Sequence, residues 1–193
     1  MKQLLDNIKH YVSLNEEEIS LLENNVEQRH FEKSEMIFSE GKISNEIYFV
    51  SKGCVRLFYN VNGNDKTAFF YTEGQFICAG ESYTFGFPAV ENYQAIEKTE
   101  ILVFSKVNNE YLMKELPQFE IIARIATENE LITSQKVIAS FVCNSPEERY
   151  IDLLNKQRAL FQRVPQQYIA SFLGVSPETL SRIKARIHHK KRS

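Results

Sequence analysis

The stretch from Val164 to Arg186, VPQQYIASFLGVSPETLSRIKAR, restricts its own folding more tightly than any other part of the chain. It reads as two short helices and a tight turn. The first helix runs from about Gln166 to Phe172, with Tyr168, Ile169, Phe172 and Leu173 as its apolar face. Gly174 follows, where a helix ends most cheaply on a left-handed residue. The second helix has Ser176 as N-cap, Pro177 at its first position and Glu178 against the positive end of the dipole. Leu180 and Ile183 point inward, while Glu178, Ser181, Arg182, Ala185 and Arg186 make an outward face. Small Ala170, four residues before Gly174, lets the two helices approach closely.

This is the spacing of a helix-turn-helix whose second helix enters a major groove; an ordinary helical hairpin is the other reading. Beyond Glu178 the chain carries Arg182, Lys184, Arg186, Lys190, Lys191 and Arg192 and no further acid, a basic run placed where phosphates would lie. Overall net charge is only −2, but it is unevenly spread. Residues 144–193 hold ten Lys/Arg and four Asp/Glu, a net of +6, leaving −8 on residues 1–143. A basic nucleic-acid module on an acidic body has this footprint. No signal-peptide pattern is present and no apolar run approaches the roughly 20 residues of a membrane span, so a cytoplasmic protein without membrane contact is expected. Cys54, Cys78 and Cys143 are far apart and odd in number; they read as buried free thiols. No nucleophile–base pair, metal-ligand cluster or phosphate loop is seen, which argues against an enzyme.

Earlier in the chain, the first thirty residues read as helical, with Leu4, Leu5, Ile8, Tyr11 and Val12 on one face and a second helix from about Asn15 through Val26. From Phe31 to about Ser105 short β-rich runs alternate with turn residues: 36–38, 47–50, 55–59, 68–71, 76–78 and 101–104. Gly41, Gly53, Gly63 and Gly74 recur every ten to twelve residues, and Asn62-Gly63 marks a hairpin. An all-β barrel or roll is the expected result. Pro117 ends a short helix, and a long one runs from Gln118 to about Cys143. Ile121, Ile125, Leu131, Ile132, Ile138, Ala139 and Val142 form its apolar stripe, interrupted by Glu128 and Gln135. About 25 helical residues span roughly 37 Å, more than a small roll covers, so the helix is expected to pair with its own copy and to join two domains. Asn144 to Glu148 then caps a helix running to about Gln157.

Two stretches resemble the Crp–Fnr family of bacterial transcription regulators. Residues 43–53, ISNEIYFVSKG, are similar to that family's strand-turn signature. Residues 175–182, VSPETLSR, are similar to its recognition-helix motif. The resemblance extends from about residue 8 to 186. It implies an α+β chain: an N-terminal double-stranded β-helix (a jelly-roll-like β-roll) with flanking helices over 1–117, a dimerisation helix over 118–143, and an all-α helix-turn-helix domain over 144–193. It also implies a homodimer on palindromic double-stranded DNA, with RNA polymerase and an unidentified small-molecule effector as further partners. Carried over, Glu178 and Arg182 contact bases while Gln167 and Ser176 hold phosphates, and Thr179, Ser181, Lys184 and Arg186 complete the DNA-facing set. An arginine reads guanine O6 and N7, and a glutamate accepts from cytosine N4. Pro177 stands where the family motif has its first arginine, which removes one base contact. The chain also ends within about ten residues of this helix, where the family continues into a wing; the basic tail is expected to supply backbone contacts instead.

The resemblance implies a ligand pocket at Gly80, Glu81, Glu91 and Asn92, with Thr133 and Ser134 of the long helix. Gly80-Glu81 matches the family's phosphate–ribose pair, but Glu91 stands where the cyclic phosphate needs an arginine. A carboxylate there repels the phosphate, so an effector other than cyclic AMP is expected. No cofactor is expected. The first cysteine comes too late for an N-terminal iron–sulfur cluster, and His10 and His30 read as ordinary histidines rather than haem ligands. Cys78 is a candidate redox-sensitive thiol. The competing reading of the whole is a small-molecule-binding roll with vestigial DNA binding.

Overall fold

A computed structural model of the chain describes residues 1–190, the side chains of 188–190 excepted. Helices α1 (Lys2–Ile8) and α2 (Glu16–Asn24) lead into strand β1 (Glu27–Phe31). The strands β2 (Met36–Phe38), β3 (Glu46–Lys52), β4 (Val55–Val61), β5 (Asn64–Tyr71) and β6 (Phe76–Ile77) follow, then α3 (Gly80–Phe85), β7 (Asn92–Ala95) and β8 (Thr99–Ser105). Helices α4 (Lys106–Glu115), α5 (Pro117–Cys143), α6 (Pro146–Lys156), α7 (Leu160–Arg163), α8 (Gln166–Phe172) and α9 (Pro177–Lys190) complete the chain. The eight strands form two four-stranded sheets, ordered β1-β8-β3-β6 and β2-β7-β4-β5.

Two compact units are present. One joins Met1–Leu57 to Phe70–Leu131; the other joins Phe58–Phe69 to the chain from Ile132 onward. In the first, the core gathers Leu4, Ile8, Leu22, Phe49, Leu102, Phe104, Leu112, Leu116, Phe119 and Ile122 from four helices and the first sheet. Phe49 meets Phe76 edge-on at 4.9 Å and Phe104 lies 5.8 Å from Phe119 between ring centres, within the range of favourable aromatic pairs. In the second, Tyr150, Leu153, Leu160, Val164, Ile169, Ala170, Leu173, Leu180 and Ile183 are buried.

Local chemistry sets the helix starts. Asn15 Oδ1 accepts from the Glu18 N–H while Glu18 Oε2 accepts from the Asn15 N–H, and Ser145 and Glu148 repeat this reciprocal box at α6. Pro117 opens α5 rather than merely preceding it, because the first helical position has no use for the missing N–H. Asn62 and Gly63 have φ of 53° and 77°, the backbone of the hairpin turn their dipeptide predicts.

The expected elements differ from the structure at identifiable places. The helix expected through Val26 ends at Asn24, where the Asn25 side chain donates to the Leu21 carbonyl. β1, EQRHF, was hidden because it is an edge strand with alternating exposure and few apolar residues; its pairing with β8 holds it. β7 is four residues long and equally quiet in sequence. Gly80 to Phe85 is a helix closed by left-handed Gly86, and β6 therefore stops before Cys78. α7 is a single unexpected turn. Of the cysteines, Cys54 is buried and Cys78 partly so, but Cys143 is exposed, because the last turn of α5 leaves it on an outward side.

Candidate nucleic-acid interface and effector site

The α8–α9 pair is built around close approach. Ala170 is fully buried, Gly174 takes φ +68°, and Val175 donates to the Ala170 carbonyl across the turn at 3.0 Å. A Cβ on Gly174 would stand 2.9 Å from the Phe141 ring. Arg149 braces the same corner: it donates to the carbonyls of Leu173 (2.9 Å) and Asn144 (2.7 Å), and its guanidinium lies 4.5 Å over the Phe141 ring. This cation–π placement fixes a charge that also caps the end of α8.

α9 starts on Ser176, whose Oγ accepts from the Thr179 N–H at 3.2 Å. Leu180 and Ile183 are buried; Glu178, Ser181, Arg182 and Arg186 are exposed, and Lys184 is half-buried. Hydrogen bonds from Ser176 and from the helix-start backbone, with Arg182 nearby, hold the Glu178 carboxyl below the usual range, so it is charged at neutral pH. Arg186 Nη2 lies 3.3 Å from Glu147, a surface pair worth roughly 0–1 kcal/mol and easily exchanged for a stronger acceptor. Gln167 is exposed on α8. The expected contacts of the basic tail fall on Lys190, whose side chain lies outside the described residues, and on Lys191 and Arg192, which lie outside them altogether.

Along α5, Phe119 and Ile122 are buried, whereas Leu131 (58 % exposed), Ile138 (64 %) and Val142 (79 %) are not. A shallow depression lined by Glu120, Ile121, Ala123, Arg124 and Thr127 sits on its outer side, and Arg124 pairs with Glu128 one turn on at 2.8 Å. Leu131, Ile138 and Val142 follow one another at seven- and four-residue steps and so share one side of α5.

The pocket candidates divide between the two units. Gly80, Glu81, Glu91 and Asn92 belong to the first unit, Thr133 and Ser134 to the second. Glu81 is exposed on the first turn of α3. Asn92 is buried and used internally: its Oδ1 accepts from the Glu40 N–H and its Nδ2 donates to Glu40 Oε2, both at 3.1 Å. Sequence reading missed the groups that fill the roll instead. Arg56, a charged residue within the β-rich run 55–59, is only 2 % exposed and donates through Nε to Gln94 Oε1 at 2.8 Å. Tyr71 donates to Glu130 Oε1 at 2.9 Å, and Tyr93, 6.3 Å away between ring centres, donates to the Cys78 carbonyl at 3.2 Å. Tyr71 lay in a predicted strand, whereas Tyr93 lay in none; Glu130 lies off the apolar stripe that drew notice to α5.

Burial pushes the Cys78 thiol up to about 12, with the Glu91 and Glu130 carboxylates adding to the effect. A thiol so protonated is a poor nucleophile, which speaks against the candidate redox role of Cys78. Burial also raises Glu130, partly offset by the bond from Tyr71. The native protein therefore binds this proton more tightly than the unfolded chain. The resulting stability is complete below the ordinary value of 4.5 and is lost as pH rises through the raised native one. Glu130→Gln keeps an acceptor for Tyr71 and removes the charge. Its melting temperature is expected to exceed wild type at pH 8 and to converge with it near pH 4; equal melting at pH 8 would refute this.

Two four-stranded sheets with flanking helices make up a β-roll, and a helical C-terminal part follows it in the chain. Residues 28–115 match the cyclic nucleotide-binding domain family, and in fold the chain is similar to Crp–Fnr regulators. FixK2 from Bradyrhizobium japonicum is similar over 86 % of each chain, with 20 % identity and a TM-score of 0.73. The c-di-GMP-responsive regulator CLP from Xanthomonas campestris is similar over 92 % of this chain and 93 % of its own, at 14 % identity and a TM-score of 0.74. A regulator assigned to the Crp/Fnr family from Eubacterium rectale covers 92 % of this chain and 85 % of its own, at 15 % identity and a TM-score of 0.70. A sequence comparison with curated proteins finds no match. No helix among the described residues is long and apolar enough to cross a membrane, and no group of three or more His, Cys, Asp or Glu among them is placed to hold a metal ion.

Proposed function

We propose that this chain is a cytoplasmic, sequence-specific DNA-binding transcription regulator that acts as a homodimer on a palindromic operator. Residues 1–117 act as the sensor, 118–143 as the dimerisation helix and 144–193 as the DNA-binding domain, with RNA polymerase as a partner at the promoter. The observation that carries the reading is the α8–Gly174–α9 pair, which buries Leu180 and Ile183 and turns Glu178, Ser181, Arg182 and Arg186 outward. Dimerisation through α5 sets two such faces one helical turn of DNA apart, roughly 34 Å.

The effector is expected to differ from cyclic AMP. A phosphate about 4 Å from the Glu91 carboxylate would meet repulsion on the order of 4 kcal/mol at an effective dielectric near 20. Any effector acts by favouring one dimer arrangement over another. Selection of bound DNA from a random pool, with and without a metabolite mixture, is the test: an enriched palindrome is expected. A monomer at high concentration that ignores DNA in low salt would end the proposal. Recovery of no motif would favour the receptor with vestigial DNA binding, the reading to which exposed Pro177 points.

Arg182→Ala is expected to cost about 1–3 kcal/mol on the selected operator and to relax one base position. Equal losses on all sequences, measured by competition binding, would demote Arg182 to a phosphate contact.

A further inference from the structure

The β4–β5 hairpin does not keep to the roll. Its distal part, Phe58–Phe69, belongs to the same compact unit as α8 and α9, and the bonds that hold it there are specific. The Ser171 hydroxyl, on α8, accepts from the Thr67 N–H at 2.9 Å and donates to the Asp65 carbonyl at 3.4 Å. β5 ends its sheet, so these are edge groups that would otherwise face water. Thr67 is buried at this junction, while every residue from Asn60 to Lys66 is exposed.

The tip is stiff and rich in hydrogen-bonding groups. Asn60 Oδ1 accepts from the Gly63 N–H at 2.9 Å, and Asn64 Nδ2 donates to the Asn62 carbonyl at 3.2 Å, closing a turn whose two central residues both have positive φ. Lys66 stands exposed next to the Thr67 anchor. Gln167 stands exposed one turn before Ser171 on the same stripe of α8, about 5–6 Å away between Cβ atoms.

Resting on the DNA-binding reading above, we propose that the β4–β5 hairpin is a second DNA-backbone contact, with Lys66 and the tip amides holding phosphates beside those reached from α8. Lysine is a point-charge phosphate ligand, and side-chain amides donate to phosphate oxygens without reading sequence. The hairpin thus sets register and affinity, while α9 sets sequence preference. Its position depends on Ser171, so the clasp and the contact form one device.

The test uses the full chain on operator and non-operator duplexes across a salt series. Lys66→Ala should weaken both about tenfold and flatten the log–log salt dependence by about 1.8, two phosphates per dimer. Ser171→Ala should reproduce part of that loss and speed hydrogen exchange at the Thr67 amide. Lys52→Ala, which removes an exposed charge from β3, is the control for net charge alone. Phosphate-ethylation interference should lose the same few positions per half-site in Lys66→Ala. A Lys66→Ala protein whose affinity and slope match Lys52→Ala overturns the hairpin contact while leaving the DNA reading intact. So does a loss confined to one sequence. Absence of DNA binding by the unaltered protein at 50 mM salt overturns the DNA reading itself.

Discussion

Gly53→Ala is expected to destabilise the protein by about 3–5 kcal/mol, a large part of the roughly 5–15 kcal/mol that holds a domain folded. Two costs combine. Gly53 has φ +105°, where an L side chain is strained by about 1–3 kcal/mol. Its Cβ would also stand 2.5 Å from Thr99 Oγ1, 2.8 Å from Thr99 Cα and 2.9 Å from Thr99 Cβ. Thr99 has no room to retreat: it is fully buried, its hydroxyl donates to the Glu97 carbonyl, and it begins β8, which lies between β1 and β3. Overpacking of that kind adds about 1–3 kcal/mol. Gly41→Ala separates the two costs, since Gly41 has φ +82° but nothing within 4 Å of its Cβ. Urea midpoints should fall far more for Gly53→Ala; equal shifts would show that the Thr99 contact relaxes freely.

Ile138→Glu is expected to abolish self-association and lower operator affinity by at least about a hundredfold. Ile138 is mostly exposed on α5, in line with Leu131 and Val142. If that stripe is the seam of a dimer, the change buries two unpaired carboxylates, each costing several kcal/mol. A monomer then holds one half-site alone and forfeits the avidity of linked binding, which spans about 10²–10⁴. Val107→Glu makes the same change at an equally exposed apolar position on α4 and should leave both properties unchanged. Sedimentation equilibrium and gel shift read the outcome, and an Ile138→Glu protein that stays dimeric removes α5 from the interface.

What could be read from sequence was local. Gly174, Ser176 and Pro177 each act within one turn of themselves, so α8 and the start of α9 were placed to the residue. The capping box at Ser145 and the Asn62-Gly63 turn are of the same kind. Strands such as β3 and β8 announced themselves through apolar runs, whereas β1 and β7 exist because a neighbour supplies their hydrogen bonds. Pairings between distant segments were hidden for a further reason. Arg56 and Gln94 lie 38 residues apart, Tyr71 and Glu130 lie 59 apart, and Ser171 and Thr67 lie 104 apart. No periodicity joins such pairs; only the folded chain brings them together.

The Arg149 brace has a mechanical consequence. By gripping the Asn144 and Leu173 carbonyls over the Phe141 ring, it ties the last turn of α5 to the end of α8. A displacement of Phe141 would thus be felt at the α8–α9 turn. If the regulator switches by bending α5, the bend belongs before Phe141, among the mostly exposed turns from Ile132 on.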